Sequence, residues 1–312
     1  MRKFNLLMAA VIASLLIAEA VLCRLVHLYG FGRQLKGLAA ALPFLAICAY
    51  SRWRGFKRFS DAAVLAMWGV LATRVLGLLI QIAARSPAPL VDGELARLDH
   101  AMHFEAVFVV TLMAQSRYLR LGLALCYALL ILFVVAALLV PPLCGRRNAA
   151  ERLVVAVIVA AIITAALFAI FPAIGPWVVY GFAPTHAQAA AQSYLLLLKS
   201  NGAVLVNFAD PAIVSFPSFH VVLAILCMVA LWNVRRLRWF SFALGFLICV
   251  STVTTGWHYV VDIAGGLAVA WIADRMSRWV LEPRPDGASL IIERASVAAP
   301  AADRVTAGCP AE

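Results

Sequence analysis

The sequence predicts an all-α protein, a polytopic membrane helix bundle of about eight spans, because it holds that many apolar runs near the ~20 residues a bilayer requires. Hydrophobic residues make up 64% of the 312 positions and charged residues 13%, outside the range of soluble globular domains. Lys and Arg gather in short clusters between the runs, the pattern that sets membrane topology. The net charge of +11 therefore belongs to membrane orientation, and no nucleic-acid partner is expected. The seven Cys are scattered, mostly inside apolar runs, without the spacing of a metal site or a disulfide framework.

Taken in order, the runs fall at 4–26, 30–50, 61–84, 120–143, 153–171, 218–234, 239–256 and 258–279. The first follows Arg2-Lys3 and carries Ala18-Glu19-Ala20, a plausible signal-peptidase site. Its apolar stretch continues through Val26, beyond the ~7–15 residues of a signal core, so a retained anchor is expected. Glu19 and Arg74 lie at similar depth in the first and third spans; Arg74 either pairs with Glu19 or lines a polar cavity. Residues 1–58 form two N-terminal spans, 59–282 a catalytic bundle, and 283–312 a tail that reads as disordered. Two long connections interrupt the bundle. Residues 85–119 contain Leu95-Ala-Arg-Leu-Asp99-His100-Ala-Met-His103-Phe-Glu105, an interfacial amphipathic helix. Its acids and histidines match no helix-borne zinc pattern and read as a solvated polar face. Residues 172–215 open with Pro172, Gly175 and Pro176 and carry an Ala- and Leu-rich stretch at 186–199, a short helix lying on the membrane. A loop of this length in a compact bundle is usually functional.

One set of connections, which includes both termini, holds 17 Lys and Arg and the other holds 7. The positive-inside bias puts both termini in the cytoplasm. Two histidines then fall at the outer mouths of separate spans. His258 and Asp262 are four residues apart and share a helix face. A carboxylate there accepts the proton of one imidazole nitrogen and leaves the other free to attack an electrophile. His220 follows Pro217-Ser218 at the start of another run, placed to serve as proton donor in the same pocket.

These residues resemble the type 2 phosphatidic acid phosphatase superfamily. Pro217, Ser218 and His220 match its Pro-Ser-any-His motif, and Ser251, His258 and Asp262 match its third motif, with Thr252 where that motif has Arg. The family's first motif is not found. Ser251-Thr252, the His258-Tyr-Val-Val-Asp262 form and the upstream Phe171-Pro172-Ala-Ile-Gly-Pro176-Trp177 are similar to the inositol phosphorylceramide synthase branch. The resemblance, over roughly residues 60–280, implies a six-helix phosphatase-like core. It also implies a phosphohistidine on His258, orientation by Asp262 and protonation of the leaving alcohol by His220. The expected substrate is a lipid phosphate at the outer face, with water or a lipid or alcohol hydroxyl as acceptor. Ser218 and Ser251 would supply hydroxyl donors to the phosphate, and backbone N–H groups near Ser218 further ones, with Pro217 in the first helical turn. Gly256 would permit the turn before the last span, and Gly265 and Gly266 close helix packing. With Thr252 in place of Arg, a cation must come from elsewhere. Arg85, Arg97, Arg117, Arg120 and Lys199 are the candidates, with Arg117 and Arg120 at the mouth of the fourth span either binding phosphate or anchoring to headgroups. The scheme needs no metal and no other cofactor. The alternative class is a non-catalytic transporter or lipid-binding protein, whose ionisable groups would sit near mid-bilayer rather than at span mouths.

Overall fold

Each expected run becomes helical, because a backbone without water around it must satisfy its polar groups internally. The structure, a computed structural model, describes residues 2–104, 109–111, 115–200, 202–206 and 213–282; Glu105 and the 283–312 tail lie outside the described residues. Helix α1 spans Arg2–Leu25, and β1 (Leu28–Tyr29) follows it. The second run divides into α2 (Phe31–Gly37), a 3-10 turn (Leu38–Ala41) and α3 (Leu42–Trp53). Then come α4 (Lys57–Ala84), α5 (Asp92–Ala101), α6 (Arg117–Ala128), α7 (Leu130–Leu143) and α8 (Arg147–Ile170). The second long connection carries α9 (Trp177–Tyr180), α10 (His186–Lys199) and β2 (Val204–Leu205). The last three helices are α11 (Phe219–Trp232), α12 (Arg238–Thr254) and α13 (Val260–Leu281).

Five segments, α1, 31–53, α4, 117–143 and α8, are long and apolar enough to cross a membrane. The other three depart from that length or polarity. Helix α11 has 14 residues and α12 has 17, while α13 has 22 but carries Asp262, Asp274, Arg275 and Arg278.

Two apolar clusters hold the bundle together. Phe4, Met8, Leu65, Trp68, Val75 and Ile158 join α1, α4 and α8. Phe133, Ala160, Val222, Cys227, Ile248 and Ala270 join α7, α8, α11, α12 and α13. Small residues at Ala160, Ala224, Ala270 and Ala273, all fully buried, let these helices pack closely where lipid offers no hydrophobic drive. Within the first unit Glu19 is fully buried; its carboxyl oxygens make no well-formed hydrogen bond among the described residues, although the Gln34 side chain lies against them. The expected Glu19–Arg74 pair is thus not a hydrogen-bonded one. Gln34 donates Nε2 to the Arg74 carbonyl at 2.8 Å, which ties α2 to α4.

The two ends of the bundle differ in kind. One is tied by ion pairs, with Arg147 bridging Asp61 and Glu151 and Arg152 meeting Glu282 at 3.1 Å. The other is tied by backbone. Strands β1 and β2 pair in parallel, Leu28 with Val204, and Ser86 Oγ donates to the Ala169 carbonyl. Arg85 donates to the carbonyls of Leu198, Ser200 and Gly202. Lys199 Nζ answers with bonds to Ser86 O and Ala88 O at 2.8 and 2.9 Å. Both cations therefore lace the two long connections together, which commits two of the three Lys199 donors and three of the five Arg85 donors to backbone carbonyls. Burial lowers the pKa of Lys199, so its remaining charge is costly to leave without such partners.

Candidate active site

The laced end holds both histidines. Helix α12 stops at Thr254 and the chain reverses through Gly256, whose φ of 72° is left-handed; a Cβ there would also stand 2.9 Å from the Phe182 ring. The N–H groups of Trp257 and His258 both donate to the Thr252 carbonyl at 3.2 Å, closing the turn and aiming His258 inward. His258 is 2% exposed. Its Nδ1 lies 2.9 Å from the Ser215 carbonyl and 3.2 Å from Asp262 Oδ2. Both neighbours are acceptors, so the proton sits on Nδ1 and the lone pair on Nε2. Asp262 Oδ2 also accepts from the Tyr259 N–H at 2.9 Å and from Ser215 Oγ at 3.0 Å. These bonds hold the carboxylate before any substrate arrives.

His220 enters from α11. Gly266 allows this approach: a Cβ on it would stand 2.7 Å from the Ser218 carbonyl and 2.9 Å from Val221 Cβ. The Ser218 N–H then donates to the Asp262 carbonyl at 3.1 Å, fixing the start of α11 to the first turn of α13. The two imidazole centroids come within 5.9 Å. That is too far for them to bond each other and close enough for both to reach one phosphoryl group. Tyr127 of α6 stacks on His220 at 4.2 Å, with its hydroxyl 3.4 Å from Nδ1. Trp257 lies parallel to Tyr127 at 6.2 Å and Trp177 stands edge-on to Trp257. An aromatic wall thus lines the approach to two histidines.

A family model described as the PAP2 superfamily matches residues 93–275, more than half of the chain and every element named in this site. The chain belongs to the PAP2 superfamily. It is a phosphatase-type enzyme of the membrane, built on the helical fold of that family. Comparisons with curated proteins and with solved structures return no match.

Several expectations change against the geometry of this PAP2 site. Ser251 Oγ donates to the Ile248 carbonyl at 2.7 Å, inside its own helix and fully buried; here its hydroxyl proton closes a helical turn. Thr252, at the motif's Arg position, does the same with Cys249 O at 2.7 Å. Ser218 is the N-cap of α11, accepting from Val221 N–H at 3.5 Å, which leaves its hydroxyl proton and not its N–H for a ligand. Pro217 stands before that cap, after a cis peptide, and not in the first helical turn. Arg97 pairs with Glu94 in the open at 3.0 Å. Arg117 and Arg120 open α6 and are exposed. Arg120 is seven residues, two turns, before Tyr127 and so on the same face, about 10 Å along the helix.

The larger correction concerns Asp99. The polar face read as solvated includes this carboxylate, which is fully buried. It accepts from the N–H groups of Val260 and Val261 at 2.8 and 2.9 Å, two donors that a helix start leaves unpaired. Asp92, also buried, accepts from the N–H groups of Ile174 and Gly175 and from the Tyr259 hydroxyl. Burial raises the pKa of both carboxyls, and these hydrogen bonds oppose the rise. Gln188, the third residue of the capped helix α10, donates Nε2 to the carbonyls of Thr255 and Gly256 at 3.3 and 3.0 Å. Helix α10 spans 186–199 as expected, but it braces the turn that carries His258. Sequence spacing missed these three because each acts on a backbone more than sixty residues away. The one signal that was available is a polar residue on the apolar-facing side of each short helix. Among the described residues no group of three or more His, Cys, Asp or Glu could hold a metal ion.

Proposed function

We propose that this protein transfers the phosphoryl group of a lipid phosphate through a phosphohistidine on His258, at the outer face of the membrane. The observation that carries the reading is the pair of acceptors on His258 Nδ1, which leaves Nε2 as the nucleophile. In the first half-reaction Nε2 bonds to phosphorus as the bond from phosphorus to the lipid oxygen breaks. His220 gives its proton to that oxygen, and Asp262 offsets the positive charge that develops on His258. In the second, His220 takes the proton of an incoming hydroxyl as its oxygen displaces Nε2. Water as that hydroxyl makes the protein a phosphatase, and an alcohol makes it a transferase. The aromatic wall of Tyr127, Trp257 and Trp177 and the Thr252 departure favour an alcohol-bearing lipid acceptor, as in the inositolphosphotransferase branch. The outer location rests on the charge bias of the connections.

The test follows acid-labile, base-stable label from a radioactive phosphate donor. Wild type should take up label and His258→Ala none. His220→Ala should trap label from an activated aryl phosphate, whose leaving group needs no proton, and lose turnover on lipid phosphates. Uptake of label by His258→Ala would move the nucleophile elsewhere. Adding lipid alcohols should convert free phosphate release into new phospholipid if the acceptor reading holds.

A further inference from the structure

A cavity of about 440 Å³ lies at the end away from the histidines. Its origin is helix length. Helix α11 starts beside His258 and runs 14 residues, about 21 Å at 1.5 Å per residue, against a hydrocarbon core of about 30 Å. Its neighbours α8 and α13, with 24 and 22 residues, run on past it. The gap under Trp232 is left between them.

The walls are divided by polarity. Leu153, Ala156, Leu226 and Met228 line the gap together with Arg152 and Arg278. Arg152 meets the half-exposed Glu282 among the described residues, a surface pair that holds its guanidinium weakly. Arg278 spends Nε and Nη2 on Asp274, so its Nη1 edge is turned from that carboxylate. Arg235 and Arg236, both exposed, sit in the turn below Trp232. Two cations and one acid, Asp274, thus line an apolar slot, with Arg235 and Arg236 following in the adjoining turn, and that surplus of positive charge complements a phosphodiester at membrane depth.

We propose that this cavity binds an anionic phospholipid of the leaflet opposite the histidines, with its phosphate at Arg152 and Arg278 and an acyl chain against Leu153, Ala156 and Leu226. The lipid takes the place of the missing turns of α11 and is distinct from any substrate at His258. The inference does not depend on the reaction proposed above.

The test uses the purified full chain in detergent, with phosphatidylglycerol or phosphatidylcholine carrying brominated acyl chains. Trp232 lines the cavity and is 40% exposed, so its quenching, taken as wild type minus Trp232→Phe, reports occupancy. Wild type should saturate with phosphatidylglycerol at a concentration at least fivefold lower than with phosphatidylcholine. Arg152→Gln should reduce that preference below twofold, and Arg152→Lys should restore most of it. Ala156→Phe should remove the saturable component by filling the slot. Equal response to both lipids in wild type, or an undiminished preference in Arg152→Gln, would overturn the proposal. So would displacement of the response by inorganic phosphate alone, which would assign the cations to a free anion.

Discussion

With the Ser215 carbonyl and Asp262 Oδ2 both against Nδ1, His258 satisfies its neighbours only by carrying its proton there. Asp262→Asn would keep the Ser215 carbonyl against Nδ1 but weaken control of the tautomer and remove the negative charge that supports the imidazolium, so its turnover should fall between wild type and His258→Ala. The missing motif arginine is the second residue-scale question. Lys199 and Arg85 already spend donors on loop carbonyls, so α6 is the expected source of charge, and helical register selects Arg120 over Arg117. Arg120→Ala should lower kcat/KM by roughly a hundredfold or more, the ~2–4 kcal/mol of a charge-assisted bond to a forming oxyanion. Arg117→Ala should have the smaller effect, and both proteins should insert and purify normally. A change under threefold at both positions would reject α6 as the source of the cation.

Helix starts, more than helix bodies, position the chemistry. The first turn of α13 gives two N–H donors to Asp99 and one carbonyl to Ser218, so α5 and α11 are both registered on the turn that holds His258. Asp99→Ala leaves two buried donors without partners, a loss of about 2 kcal/mol. The expected result is a lower melting temperature together with a fall in kcat that Asp99→Asn partly restores. An unchanged kcat would limit Asp99 to stability. Gly266→Ala acts on the same junction by another route. Its Cβ meets the backbone oxygen of Ser218 at 2.7 Å, so α11 must move away and carry His220 with it. Circular dichroism should remain helical while turnover on a lipid phosphate falls at least tenfold. Wild-type turnover would show that the contact is not what sets the spacing between the histidines.

At the scale of the whole molecule, the histidine end is closed by backbone pairing and the other by ion pairs, and the two ends also differ in Lys and Arg content. That bias predicts a histidine end outside the cell. Ala183 lies exposed in the connection between α9 and α10, and Asn233 lies exposed in the turn after α11. With Cys144, the exposed thiol among the described residues, and Cys309 both changed to Ser, Ala183→Cys should react with an impermeant thiol reagent in intact cells and Asn233→Cys should not. The reverse pattern would place the reaction in the cytoplasm.

What the sequence determined by itself is everything that repeats along a helix or within a single turn. The eight apolar segments, the 186–199 helix, the left-handed Gly256 and the four-residue step from His258 to Asp262 are local, and composition and spacing are enough to place them. Tertiary structure alone decided which polar groups were still available for chemistry. Lys199, a free cation by sequence, became a tie between loops. Asp99, one charge on a polar stripe, became the cap of a helix 161 residues away in the chain. A buried polar group must find a partner wherever the fold brings one, and that partner is set by how helices cross, which no one-dimensional pattern records.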